Sequence, residues 1–182
     1  SVTRGRMTLP RRLLVYGGEG CGKSTFAADA PAPIFIPTED GTAHLDVSRF
    51  PRPTTFAEIR EAVRTIATEP HEYKSAVIDA LDGVEPLIYR AVCERARVES
   101  IEDVGGGFAK GYVAALDLWR VFLSDLEALR GRGMHVILIA HDCTTEVPNP
   151  NGPNWLRYEP RLQSPGSGKN STPKSLLNFC AM

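Results

Sequence analysis

Two rhythms of apolar residues alternate along the chain. Short runs, Leu13-Leu14-Val15-Tyr16, Ile34-Phe35-Ile36 and Ala76-Val77-Ile78, predict buried strands. A fourth, Met134-His135-Val136-Ile137-Leu138-Ile139-Ala140, is nearly unbroken, as expected of a strand covered on both faces. Between them the spacing changes to that of helices. Ile59, Val63 and Ile66 share one face of a segment over 55–69, opened by the capping-box pattern Thr55-Phe56-Ala57-Glu58. Val84, Leu87, Ile88, Ala91 and Val92 mark a helix over 84–98. Tyr112, Leu116, Trp119, Leu123 and Leu126 form the stripe of a longer one over 110–130, which assigns Trp119 to the core rather than to base stacking. Strands alternating with helices predict an α/β fold, a mainly parallel sheet with helices on both faces.

The pattern fades at both ends. Residues 1–10 are polar and basic and are expected to be flexible, leaving one domain over 11–182. From 144 to 173 Pro, Gly, Asn and Ser are dense, which predicts a long loop, and a last short helix is expected over 174–180. The chain stops at Met182 inside an apolar stretch, so a further native C-terminal piece is expected.

Composition narrows this picture modestly. The 182 residues carry a net charge of −1, which argues against a strongly basic nucleic-acid binder while leaving room for a local basic groove. No apolar run approaches the ~18 residues of a membrane span, and no signal-peptide pattern is present. Cys21, Cys93, Cys143 and Cys180 are far apart and lack metal-ligand spacing, as reduced thiols of a cytoplasmic protein would be.

The strongest chemical signal lies between the first strand and the first helix. Gly17-Gly18-Glu19-Gly20-Cys21-Gly22-Lys23-Ser24-Thr25 fits G-x-x-x-x-G-K-[ST]. Glycines there let the backbone turn its N–H groups inward as an anion nest; Lys23 is placed to meet the β- and γ-phosphates, and the Ser24 hydroxyl to ligate Mg²⁺. In a parallel sheet, ligands collect at the C-terminal strand ends. That rule selects Glu39-Asp40, Asp79 and His141-Asp142. Asp79 is the candidate metal acid, or else a strand-end turn residue. Because Ala80 follows it, the acid that activates water must lie elsewhere; Glu39 comes first, with Asp40 and Asp82 behind it, although a turn carboxylate also fits Glu39. His141 suits a γ-phosphate sensor or a polar plug. Cys21 is either redox-active or a tolerated small side chain.

The ordered set of Gly17 to Thr25, Ile36-Pro37-Thr38-Glu39-Asp40-Gly41, Val77-Ile78-Asp79-Ala80-Leu81, Gly107-Phe108-Ala109-Lys110-Gly111-Tyr112 and Ile137-Leu138-Ile139-Ala140-His141 resembles the phage and prophage RecA-like ATPases. The resemblance covers residues 11 to 182. It implies a three-layer RecA-like phosphate-loop core that uses ATP and Mg²⁺. Lys23 and Ser24 would bind phosphate and metal, Asp79 would hold the metal, Glu39 would be the catalytic glutamate, and His141 the γ-phosphate sensor. It also implies single-stranded DNA as a partner, a homo-oligomer with shared active sites, and a role in recombination or single-strand annealing in a bacterial or phage-infected cytoplasm. Residues 149–162 match the family's loop after the fourth strand. The tail departs from the pattern: 164–171 is an extended Gly/Ser-rich connection, and Ala181 stands where an Asp is expected. Arg157, Arg161, Lys169 and Lys174 are the basic candidates there, or else a solvated charge run. Two other readings stay open, a nucleotide-kinase-type phosphotransferase and a nucleotide-gated binding module with little turnover.

Overall fold

The computed structural model describes residues 9–162. The elements follow in order as β1 (Arg12–Gly17), α1 (Lys23–Ala28), β2 (Pro33–Pro37), a 3-10 turn (Asp40–Thr42), β3 (Ser48–Arg49), α2 (Phe56–Thr68), β4 (Ser75–Asp79) and α3 (Leu81–Ala96). A second 3-10 segment (Ile101–Gly106), α4 (Lys110–Gly131), β5 (His135–Val147) and β6 (Trp155–Pro160) complete the described chain. The sheet runs β1-β5-β4-β2-β3 with every neighbour parallel, and β6 joins β5 antiparallel.

Side-chain alternation assigns the two faces. Ile34 and Ile36, Ala76 and Ile78, and Val136 and Leu138 point to one side, where they pack with Phe56, Ile59, Leu81, Ile88, Trp119 and Phe122 of α2, α3 and α4. Phe35, Val77, Ile137 and Ile139 point to the other, against Ala27 of α1. Both sets are buried, which is why these strands read as continuous apolar runs. Trp119 is 2% exposed and meets Phe122 edge-on, a core residue as its helical spacing predicts. Each such buried side chain contributes ~1.5–3 kcal/mol.

The capping box at α2 forms with a one-residue shift. Thr55 Oγ1 accepts from Glu58 N at 3.2 Å, while the Glu58 carboxylate accepts from Thr54 N at 2.6 Å as its main backbone contact. These backbone and side-chain hydrogen bonds hold the exposed Glu58 carboxyl below its ordinary range.

The loop expected over 144–173 is corrected in its first half. β5 does not stop at Ala140 but continues to Val147, turns, and returns as β6, with Thr144 opposite Tyr158 and Val147 opposite Trp155. Thr and Val in the outgoing arm and aromatic residues in the return arm favour extended backbone; the Pro-, Asn- and Gly-rich stretch is confined to the turn between them. The stretch 84–98 begins earlier than its periodicity suggests, at Leu81, and the 3-10 segment Ile101–Gly106 that follows α3 is broken at Val104 and Gly105. The segment 1–8, the Gly/Ser-rich 164–171, Lys169, Lys174, the helix over 174–180 and Ala181 lie outside the described residues.

Candidate functional site: a phosphate-loop pocket facing three strand ends

The loop after β1 takes the shape that its glycines allow. Gly20 and Gly22 have φ of 71° and 87°, left-handed values that a side chain would strain, and Gly22 caps α1 directly. Lys23 opens that helix with only 9% of its surface exposed. Its Nζ donates to Gly17 O and Gly18 O, each at 2.8 Å, so the ammonium lies across the mouth of its own loop. Glu19, Gly20, Gly22, Lys23, Ser24 and Thr25 line one wall of a cavity of about 370 Å³. Cys21 is exposed and is not among the lining residues; its Sγ lies 3.9 Å from Lys23 Nζ.

The facing wall is assembled by strand register. Gly17 pairs with His141 and Pro37 with Asp79, so the ends of β1, β2 and β4 come to one edge of the site beside His141, which lies in the middle of β5. Glu39, Asp79 and His141 all line the cavity, as the sequence predicts, and exposed His44 joins them from beyond the 3-10 turn. Nothing in the sequence singled out His44.

Thr38 is a second residue that pattern reading missed. It is 5% exposed; its Oγ1 accepts from Ala80 N at 2.8 Å and donates to Ala80 O at 2.6 Å, and its backbone N donates to Asp79 O at 2.7 Å. Thr38 therefore ties the end of β2 to the end of β4. Gly83 permits the approach, since a Cβ there would stand 2.2 Å from Thr38 Oγ1. A polar residue directly after an apolar strand was the available signal.

The acids differ in environment. Asp79 is 4% exposed, and burial raises its carboxyl above the usual range, opposed by a hydrogen bond with Ser24 and by the Lys23 charge. Its Oδ2 is buried with no hydrogen-bond partner among the described residues. An unpaired buried carboxylate oxygen beside a serine hydroxyl is a donor set that suits a hard cation such as Mg²⁺. Glu39 is likewise raised, first by burial and then by Asp79 and Asp82, with His141 and Lys23 pulling the other way. Asp40 instead turns to Arg52 at 2.9 Å, both side chains largely exposed. Asp82 is committed to His141: its carboxylate accepts from the His141 backbone N at 3.0 Å and pairs with ring Nδ1.

With that geometry in hand, comparison with known proteins is informative. A family profile described as an AAA domain matches residues 9–169. The chain belongs to this AAA-domain family of phosphate-loop ATPases. Membership implies nucleotide binding. The chain also resembles the SPbeta prophage-derived uncharacterized protein YorG of Bacillus subtilis (strain 168), with 24% identity over 133 residues. That match covers 71% of this chain and 40% of the relative, so the AAA domain here spans well under two thirds of the relative's length. Together they support a phage-associated phosphate-loop ATPase; neither names a RecA-like annealing protein. Among the described residues, no helix is long and apolar enough to cross a membrane.

Proposed function

We propose that this chain binds ATP in the pocket and hydrolyses it, and that it acts in phage-type DNA recombination or single-strand annealing. The observation that carries the reading is the pairing of a phosphate nest with a raised, half-buried carboxylate, Glu39, across one cavity. Lys23 binds the β- and γ-phosphates. Ser24 and Asp79 would hold Mg²⁺, which when bound neutralises phosphate charge. Glu39 accepts the proton of the water whose oxygen attacks the γ-phosphorus; the bond to the β-bridging oxygen breaks, and ADP and phosphate leave. A carboxyl lifted toward neutrality is a better proton acceptor than one at its ordinary value. His141, at the end of the buried part of β5, meets the γ-phosphate.

The RecA-like resemblance of the sequence supports single-stranded DNA as the partner and an oligomer with shared sites; the prophage relative supports the phage association alone. The β5–β6 hairpin continues directly from His141 and exposes Trp155, Leu156 and Tyr158. Aromatic side chains such as Trp155 and Tyr158 stack on bases. The test is ATP hydrolysis with and without single-stranded DNA, alongside a panel of nucleoside monophosphate acceptors. Hydrolysis stimulated by DNA supports the proposal. Transfer to a monophosphate makes the protein a kinase, and tight binding with negligible turnover makes it a nucleotide-gated module.

A further inference from the structure

Asp82 is a partly buried carboxylate behind the site that neither the phosphate loop nor the metal set uses. It stands in the first turn of α3, immediately behind the Thr38–Ala80 clasp, and its side chain is 16% exposed. The carboxylate grips His141 twice. Both oxygens accept from the His141 backbone N, at 3.3 and 3.0 Å, and Oδ2 also pairs with ring Nδ1. The His141 side chain is itself only 14% exposed. From the far side, Arg161 at the end of the hairpin donates its backbone N to His141 O at 2.8 Å, and its guanidinium lies 3.9 Å from the same Asp82 oxygen. By contrast, Glu39 Oε1 lies 4.0 Å from the same Nδ1.

We propose that Asp82 is a positioning residue that fixes the tautomer and orientation of His141, leaving Nε2 as the nitrogen that meets the phosphoryl group. An ionised carboxylate only accepts hydrogen bonds, so Nδ1 must carry the hydrogen that joins the pair. Protons can then arrive or depart only at Nε2. A ring held by its backbone and by Nδ1 together cannot flip to exchange its nitrogens. Oriented imidazoles backed by a carboxylate work this way at other sites, and losing the partner costs ~10–100-fold in activity. The arrangement also accounts for Asp82 not serving as the water-activating base, since its oxygens are already engaged.

The proposal rests on the ATPase reading for its kinetic consequence but not for its structural one, and the experiment separates them. In ¹⁵N-histidine NMR of the nucleotide-free protein, His141 should show a protonated Nδ1 and a bare Nε2 at a pH where the ring is neutral. Asp82→Ala should redistribute the ring toward the Nε2–H tautomer; Asp82→Asn, close in shape, should do so partially and guards against a folding defect. In hydrolysis assays Asp82→Ala and His141→Ala should each lower kcat by ~10–100-fold with the KM for ATP within about threefold. The double variant should be no worse than the poorer single one, because both remove the same arrangement. A wild-type Nε2–H tautomer overturns the proposal, as does a tautomer unmoved in Asp82→Ala. So does an Asp82→Ala kcat equal to wild type, or single effects that multiply in the double variant. If the wild-type protein hydrolyses no ATP, the functional reading fails and the NMR result alone decides the role of Asp82.

Discussion

One local stretch, 19–25 without Cys21, makes the first wall of the pocket, whereas the facing wall takes Glu39 from beyond β2, Asp79 from β4 and His141 from inside β5, with Asp82 of α3 behind it. The first wall is mostly backbone and depends on glycines at left-handed φ. The second is made of side chains whose meeting depends on sheet register and on the Thr38 clasp. Their charges differ as well: the loop offers an ammonium and N–H groups, and the far wall offers carboxylates and imidazoles. The contrast divides the work. The contiguous wall supplies affinity for phosphate, and the dispersed wall supplies turnover and metal dependence.

The largest effect expected is on the first wall. Lys23→Ala removes the ammonium without touching the core, so nucleotide binding should drop by ~100-fold or more, read by calorimetry, while the circular dichroism spectrum stays unchanged. Binding at wild-type affinity would dissolve the division between the walls. On the second wall, Asp79→Asn should weaken Mg²⁺-ATP binding by ~10–100-fold yet leave metal-free ATP binding nearly unaltered. Equal losses with and without metal would place Asp79 among the phosphate contacts.

A smaller and opposite effect is expected on stability. Burial lifts the folded-state pKa of Asp79 above its unfolded value, so its favourable contribution is present below the unfolded pKa and is lost as pH rises through the folded one. At neutral pH the ionised group therefore costs the nucleotide-free protein stability, and Asp79→Asn should raise the thermal midpoint. A lower midpoint would mean that the Ser24 hydrogen bond outweighs desolvation. The first wall predicts no such gain, since Lys23 has its two carbonyl acceptors.

The same contrast explains what could be read from the sequence. The phosphate loop is local: motif, preceding strand and following helix sit side by side in the chain, and all three are present. Asp79 and His141 were legible because each ends an apolar run, and the parallel pairing of β4 with β5 brings the two to the same edge of the sheet. The Asp82–His141 pair joins residues far apart in sequence through the first turn of a helix, and no periodicity reveals it. Asp82 reads as a spare acid behind Glu39 until the helix start is known to lie at Leu81 instead of further along. The hairpin was hidden by its own turn, whose prolines and asparagines drew the flanking strands into an apparent loop. Thr38 carries only its place directly after an apolar strand, and His44 carries no pattern of its own.

The central claim, that Glu39 activates water on the turnover wall, is tested most directly by Glu39→Gln with binding and hydrolysis measured on the same sample. The substitution keeps shape and removes the proton acceptor. The affinity for Mg²⁺-ATP should remain within about threefold while kcat falls by ~10²–10⁴. Wild-type kcat should also decline as pH drops toward the raised Glu39 pKa, above the ordinary value of 4.5, with about a tenfold loss per pH unit below it, and that limb should vanish in the variant. Normal hydrolysis by Glu39→Gln, with the acidic limb intact, would contradict the account.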